Sequence, residues 1–466
     1  MGRKFGENDH FQAITQEIGK SNPTLCISMI HFAAFGTSDH FRRKKADVPR
    51  HRRFHSSHFR RFPKKCFAGC LFIIGLLSAV SFAPQSINAT ELDFLQTPCA
   101  PALASPFTSS PKKNASLWFT GGHIESGLFA NAYGRDNRYE NGTFDPESGN
   151  TALLQNVRQS DFQLNQLYLN FGKKLNSHCS FDIGGRVDVM YGTDAIFLQS
   201  YGLEKDESDQ GWHGGDYYTA LPQLYVEAGM ANFNVKMGKF LSPMGAESIL
   251  SPDRFFYSLA DSYEQLPDTM TGVLGQWDVN NKLSLFGGWV NGENRSFDNE
   301  KDSAILGDIS YQWNKRFRFG YSALARLDTR TRTSDDMFRF IQSFIVGYKH
   351  KRIDYTFEWT LRNQKTGSGG RLEYGINQEL IYRLNTRWSV GTRFGWLHRY
   401  TKSGVPHDRY NLSIGARWQP NKWLTIRPEI RYDLSDGTTP FAKPKDGSPG
   451  GRKDQFSGGV STIIKF

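Results

Sequence analysis

The chain has 466 residues, of which 45 are glycine and 14% are aromatic, while only 38% are hydrophobic and the mean hydropathy is −0.53. This composition excludes a helical membrane bundle, because the one long apolar run spans residues 66–83, and it excludes disorder, because disordered chains are poor in aromatic residues. The net charge of +11 is concentrated in residues 1–89, which carry 14 basic and 5 acidic side chains. Nucleic-acid binding is therefore not predicted, since it requires a basic patch on the folded domain.

The first predicted element is an export signal. A basic run at residues 60–65 precedes the apolar run 66–83, which is the order of regions in a cleaved secretory signal peptide. We place the signal peptide at residues 60–89, with cleavage after Ala89. A single membrane anchor is the alternative, although the run is short for a span.

Residues 1–59 form a basic N-terminal extension in front of this signal. We interpret the extension as the product of a start codon assigned too far upstream. A long n-region and a nucleic-acid-binding tail are the alternatives.

Residues 90–113 contain four prolines among small residues and predict an extended periplasmic linker. The predicted mature chain keeps two cysteines, Cys99 and Cys179, and their wide separation favours no disulfide, or one of minor weight. There is no Cys/His spacing typical of a zinc site, and we expect no metal and no cofactor.

From residue 114 to residue 466 the sequence follows a period of two. The clearest segment is Arg352–Arg362, where five apolar residues alternate with six polar ones without a break. This periodicity predicts sixteen strands, near residues 116–132, 162–172, 179–191, 221–229, 232–240, 270–279, 282–291, 303–313, 316–328, 338–349, 352–363, 371–384, 387–400, 408–419, 423–433 and 454–466.

The connections between these strands alternate in length. The connection after each even-numbered strand is a tight turn such as Asn280-Asn281 or Asn385-Thr386, except the one after the second strand, which is longer. The connections after odd-numbered strands are mostly longer loops. Tryptophans also collect toward the two ends of the strands. An even number of strands with short turns on one side and long loops on the other is typical of an outer-membrane barrel, and aromatic bands mark its two interfaces. The sequence therefore predicts an all-β, transmembrane, antiparallel up-and-down barrel of about 16 strands, with a soluble β-protein as the alternative.

Several segments resemble the outer-membrane β-barrel porins of the OmpL-like family. The resemblance is most specific in Phe233–Phe240, Ser242–Glu247 and Asp268–Val273, where a strand ends in Gly-Lys-Phe, a Gly-Ala-Glu loop follows, and Thr-Gly-Val opens the next strand. It implies passive diffusion of small hydrophilic solutes. The terminal Phe466 also resembles the signal that the barrel-assembly machinery recognises.

The third long loop, residues 241–269, is the candidate pore constriction. Its prolines and its aromatic cluster suit a compact loop packed against a wall, and the third loop of general porins, which the resemblance implies here, folds into the lumen. The charged residues assigned to the constriction are Glu247, Asp253, Arg254, Asp261, Glu264 and Asp268.

The polar faces of the late strands carry an arginine wall, which we define as Arg383, Arg393, Arg409, Arg417, Arg427 and Arg431. Ring geometry places these strands opposite the loop, which leads to the hypothesis that an acidic loop and a basic wall create a transverse field. The alternative is that the arginines pair with carboxylates along the wall, namely Glu429, Asp433, Glu379 and Glu373. Both arrangements can hold together.

No catalytic or nucleotide-binding motif is found, so an enzyme is not expected. The preferred function is a porin for small hydrophilic solutes or ions in the cell outer membrane, with outer-membrane lipid and the assembly machinery as partners and a homotrimer as the expected assembly. The runner-up is a structural or adhesive barrel with partner-binding surface loops.

Overall fold

A computed structural model describes the barrel region of the chain. The described residues are 117–134, 139–140, 143–144, 150, 158–177, 180–206, 211–297, 303–327, 338–366, 369–401, 404–441 and 451–466. All of them belong to the second of two units, Leu92–Phe466. The N-terminal extension, the signal peptide, the linker and both cysteines Cys99 and Cys179 lie outside the described residues.

Sixteen long strands form one closed antiparallel sheet. They are β1 (Trp118–Asn131), β2 (Gln163–Lys173), β3 (Asp182–Gly192), β4 (Leu224–Met230), β5 (Phe233–Leu241), β6 (Thr269–Asn280), β7 (Leu283–Val290), β8 (Ala304–Gln312), β9 (Phe317–Leu327), β10 (Phe338–His350), β11 (Ile353–Thr366), β12 (Gly369–Arg383), β13 (Trp388–Thr401), β14 (His407–Trp418), β15 (Leu424–Asp436) and β16 (Asp454–Lys465). Each strand pairs with its neighbours in sequence, and β16 pairs with β1 to close the barrel.

The predicted fold class and strand count are confirmed. Short strands that the sequence did not predict lie at the long-loop end, where His213–Gly214 pairs with Tyr217–Ala220 and the latter extends the edge of β3. A separate hairpin consists of two strands of two residues each, Tyr139–Glu140 and Thr143–Phe144. Among the described residues, no helix has both the length and the hydropathy needed to cross a membrane.

Local side-chain chemistry explains the tight turns. In four of them an asparagine begins the turn, and its side-chain oxygen accepts hydrogen bonds from the backbone N–H groups two and three residues later, as in an Asx turn. These residues are Asn280, Asn314, Asn385 and Asn421. In two other turns Ala231 and Lys351 adopt a left-handed backbone, with φ of 54° and 50°.

The outer face of the barrel is apolar and exposed. Large side chains such as Val187, Val226, Ile309 and Ile414 point away from the lumen along the middle of the strands. Exposed tryptophans lie near the strand ends, with Trp118, Trp277, Trp313, Trp388 and Trp423 near the short turns and Trp289 near the long loops. An apolar band between two aromatic girdles is the surface that a bilayer selects.

The inner face contains an apolar cluster in addition to polar groups. Met244 and Leu266, near the two ends of loop 241–269, are buried against inward side chains of β5–β10. The wall side of this cluster consists of Phe240, Met270, Leu274, Val290, Ala304, Leu306, Leu324 and Ile341. Both ends of the loop, where it leaves β5 and returns to β6, therefore pack on this apolar cluster inside the barrel.

Candidate functional site

The loop 241–269, called the inner loop below, packs inside the barrel. It contains two short 3-10 turns, Ser251–Asp253 and Asp261–Gln265. Residues 254–262 between and within these turns are all buried. Because side chains of a sixteen-stranded barrel cannot fill its lumen, such a loop is well placed to reduce the cross-section.

Aromatic side chains fix the middle of the inner loop against inward-facing glycines. Phe255 lies over Gly391 of β13, where an added Cβ would come within 2.7 Å of the ring, and Phe256 lies over Gly415 of β14, where the distance would be 3.1 Å. Tyr257 donates a hydrogen bond to the Asn165 side chain at 2.8 Å. Glycine at these wall positions therefore makes room for the rings.

Buried arginines bind the backbone of the inner loop. The Nη1 atom of Arg427 lies 3.0–3.1 Å from three carbonyl oxygens of the loop, those of Ser251, Arg254 and Phe256. Arg431 donates to the carbonyl oxygen of Leu259 at 2.5 Å. Backbone carbonyl oxygens of the loop thus accept hydrogen bonds from guanidinium groups of the wall.

Arg393 makes the corresponding contacts from β13. Its Nη1 donates to the carbonyl oxygen of Ser258 at 2.8 Å, and its guanidinium lies 4.8 Å from the centre of the Phe256 ring. The side chain of Arg393 is 0% exposed. At this position the arginine wall and the loop are in contact, with no open lumen between them.

Carboxylates of the inner loop pair with the same wall. Glu247 accepts a hydrogen bond from Arg393 at 3.0 Å, and Asp261 accepts one from Arg431 at 2.8 Å. Asp261 also lies 3.2 Å from Arg409. Burial opposes the charge on Asp261, but these two arginines outweigh that effect and hold its pKa below the ordinary value.

Wall carboxylates join the same network. Glu429 accepts hydrogen bonds from the Ser258 backbone and hydroxyl at 2.9 and 2.6 Å and lies 3.5 Å from Arg393. Asp433 pairs with Arg431 at 2.6 Å. The two arrangements considered for the arginines, pairing with the loop and pairing along the wall, therefore occur together.

A second buried cluster connects the inner loop to the preceding long loop. Arg254 lies 3.5 Å from Glu125 of β1 and 3.9 Å from Asp194, which follows β3. Gln166 of β2 donates hydrogen bonds to Asp194 at 2.6 Å and to the Ile249 carbonyl oxygen at 2.8 Å. Burial raises the pKa of Asp194 to about 7. The Arg254 guanidinium opposes this shift, and the nearby Glu125 carboxylate reinforces it.

The remaining predicted residues lie at the edges of this site. Asp253 is exposed, and Glu264 pairs with Arg399 at 3.0 Å and Arg409 at 3.5 Å. Asp268 accepts a hydrogen bond from the Tyr263 hydroxyl at 2.6 Å, and burial raises its pKa to about 7.

Two wall arginines differ from the other four. Arg417 is partly exposed, donates to the Arg254 carbonyl oxygen and lies over the Phe255 ring at 5.4 Å. Arg383 is away from the loop, at the short-turn end, where it lies 3.6 Å from Asp354.

Several residues that contribute to the site were not predicted from the sequence. Glu125 is the main one, because it binds both Arg254 and Arg427 and has no local feature that marks it. Arg399 and Gln166 were also missed. One signal is present in Phe317–Leu327, where apolar and polar residues alternate but the apolar Leu324 lies on the polar face; Leu324 belongs to the apolar cluster below the loop.

Within the described ranges, no group of three or more His, Cys, Asp or Glu side chains is arranged to hold a metal ion.

A closed sixteen-stranded barrel with an apolar outer face and a loop bound to its inner wall defines an outer-membrane β-barrel of the porin type. The family model described as "Putative beta-barrel porin-2, OmpL-like" matches residues 121–466, so the chain belongs to this family. The resemblance noted in the sequence is thereby confirmed. No curated protein matches the sequence at a significant level.

The chain is similar to three solved structures as follows. The outer membrane channel DcaP of Acinetobacter baumannii is 12% identical over 77% of this chain and 100% of that chain, with a TM-score of 0.49. OprB of Pseudomonas putida is 10% identical over 75% of this chain and 94% of that chain, with a TM-score of 0.49. The anion-selective porin from Comamonas acidovorans is 9% identical over 75% and 99%, with a TM-score of 0.48.

Proposed function

We propose that the protein is a porin through which small hydrophilic solutes and ions diffuse passively, with the inner loop as the constriction. The observation that carries the proposal is the position of the inner loop, which lies inside the barrel. It is hydrogen-bonded or paired to inward side chains of β1, β2, β11 and β13–β15. Inward polar groups of β3–β9, such as Arg186, Glu227 and Arg318, keep part of their surface accessible to water.

We further propose that the carboxylates of the inner loop and the arginine wall polarise the lumen. Arg417, which contacts the inner loop, and Asp253 both retain exposed surface, so a passing ion would meet them at the constriction. Charged groups around a pore set the preference between anions and cations. Arg417→Gln is expected to change the reversal potential in a salt gradient, and an unchanged potential would contradict this part of the proposal.

The proposed location is the outer membrane, reached after removal of the signal peptide at residues 60–89. The proposed partners are outer-membrane lipid, which the apolar outer face would contact, and the barrel-assembly machinery, which would read Phe466. The proposed assembly is a homotrimer, and no catalytic activity is proposed. Light scattering of the detergent-solubilised protein would measure the number of chains.

The test is single-channel recording of the purified protein in a planar bilayer. Stable ohmic current steps are expected, together with a reversal potential that reports the charge preference. The folded state is verified in the same sample by resistance to SDS before heating. A folded protein that gives no current would contradict the porin proposal and favour the structural or adhesive barrel.

A further inference from the structure

A row of arginines crosses the inner wall at the long-loop end of the barrel, next to residues 264–265 of the inner loop. Its members are Arg362 of β11, Arg371 of β12 and Arg399 of β13. The register places Glu373 directly opposite Arg362 on one side and Arg399 on the other. Arg371 precedes Glu373 by two residues, so it shares the same face of the sheet. Three adjacent strands therefore present guanidinium groups at one level.

Contacts with the inner loop show that this row faces the lumen. Arg362 donates to the carbonyl oxygen of Gln265 at 3.2 Å, and Arg399 pairs with Glu264 at 3.0 Å. Both acceptors belong to the inner loop. Arg371 shares Glu373 with Arg399, which places it beside them.

The carboxylates in this region are shared between arginines. Glu373 accepts from Arg371 at 2.7 Å and from Arg399 through the same oxygen atom. Glu293 divides its two oxygens between Arg362 and Arg339, both at 2.8 Å. The only carboxylate within 4 Å of Arg371 among the described residues is Glu373, which is fully buried, whereas the Arg371 side chain is 39% exposed.

A guanidinium group with exposed donors binds carboxylate or phosphate oxygens through paired hydrogen bonds, and such charge-assisted bonds are stronger than neutral ones. Inside a narrow low-dielectric passage the field of several arginines is less screened than on an open surface. A solute with two anionic groups can bridge Arg371 and a neighbouring arginine, whereas a monovalent anion reaches only one of them.

We propose that Arg362, Arg371 and Arg399 form a binding site for solutes that carry two or more carboxylate or phosphate groups. This proposal rests on the proposed function in one respect, which is that such solutes must be able to enter the lumen. It precedes the constriction on the route from the long-loop end, so it would concentrate polyanionic solutes in front of the inner loop.

The first test is isothermal titration of the detergent-solubilised protein with citrate and, separately, with pyrophosphate at low ionic strength. Arg371→Gln is expected to weaken binding about fivefold, because one charge-assisted contact is lost. Arg383→Gln is the matched control, since Arg383 lies on the same strand and face, is 41% exposed and sits at the opposite end. It should bind as the unmodified protein does.

Binding of citrate alone would assign the site to carboxylates, and binding of pyrophosphate alone would assign it to phosphates. Absence of heat with both probes on folded protein would overturn the proposal, as would equal weakening by the two variants. Because titration needs no ion flow, it tests this site even if the bilayer experiment shows no current. Where current is present, citrate should reduce it in the unmodified protein more than in Arg371→Gln.

Discussion

At the scale of single residues, the inner wall uses arginine to bind a loop. Arg427 contacts Glu125 across the barrel seam and three carbonyl oxygens of the inner loop, and its side chain is 1% exposed. A buried charge of this kind is tolerated only when its donors are satisfied, which the loop achieves with backbone oxygens. The charge of the wall is therefore largely compensated where the loop is bound.

Removal of this arginine gives a direct prediction. Arg427→Gln removes one of the two arginines that pair with the buried Glu125, so the free energy of unfolding should fall by about 3–5 kcal/mol, as for other broken buried pairs. Urea unfolding in detergent would measure the change. The loop should also be released, so the single-channel conductance should increase. Arg318→Gln, at an exposed lumen position, serves as the control, and an equal loss of stability in both variants would refute the assignment.

Asp194 gives a prediction about pH. Its pKa of about 7 lies above the ordinary value of 3.8, so the folded state holds a proton that the unfolded state releases. The contribution of Asp194 to stability is therefore complete below about pH 4 and is lost as the pH rises through about 7. Between pH 4 and pH 7 the free energy of unfolding should therefore fall by an amount on the order of 4 kcal/mol through this one buried group.

Asp194→Asn should flatten the fall in stability between pH 4 and 7, measured by urea unfolding in detergent at a series of pH values. Asp161→Asn, an exposed residue outside the cluster, should leave that fall unchanged. The same pH profile in the unmodified protein and Asp194→Asn would show that Asp194 does not carry the effect.

At the scale of elements, the inner loop fits the wall through its aromatic residues. Phe255 and Phe256 occupy the space that side chains would fill at Gly391 and Gly415. Both glycines lie on strands, but a larger side chain at either position would displace an aromatic ring of the inner loop. The fit of the loop therefore depends on two elements that are far apart in the sequence.

Gly391→Val should displace Phe255 from the wall and lower the free energy of unfolding by about 1–3 kcal/mol, the usual result of overpacking. The measurement is again urea unfolding, together with single-channel conductance. Gly307→Val on β8 is the control, because an added Cβ there has no atom within 4 Å. A larger effect at Gly307 than at Gly391 would contradict the packing argument.

The elements were more predictable than their contacts. All sixteen strands and the tight turns follow from local signals, namely the period of two and the asparagines at the turns. The prolines and aromatic residues of the loop 241–269 also indicated that it packs against a wall. By contrast, Glu125 lies 302 residues from Arg427 in sequence, so no local pattern could connect them. Gly391 and Gly415 likewise gave no sign that they receive aromatic rings.

At the scale of the whole molecule, the seam between β1 and β16 that closes the barrel continues to Phe466. The backbone N–H of Phe466 donates to the Gly122 carbonyl oxygen and the N–H of Gly122 donates to the Phe466 carbonyl oxygen, both at 3.0 Å, while the Phe466 side chain is exposed. Deletion of Phe466 removes two seam hydrogen bonds and the predicted assembly signal. The amount of SDS-resistant protein in the outer membrane should fall several-fold.

The control for this experiment is Phe466→Tyr, which keeps an aromatic side chain and both backbone hydrogen bonds. It should assemble at near the normal level. Normal assembly of the deletion variant would show that the terminal residue is not recognised.

The pair formed by Glu125 and Arg427 has a further consequence for the order of events during folding. The two residues lie on β1 and β15, which are separated by β16, so they come together only when the ends of the sheet have joined. The contacts of Glu125 with Arg254 and Arg427 therefore require a closed seam, whereas the contacts of the inner loop with β13–β15 do not. The inner loop thus gains its full set of contacts only in the closed barrel.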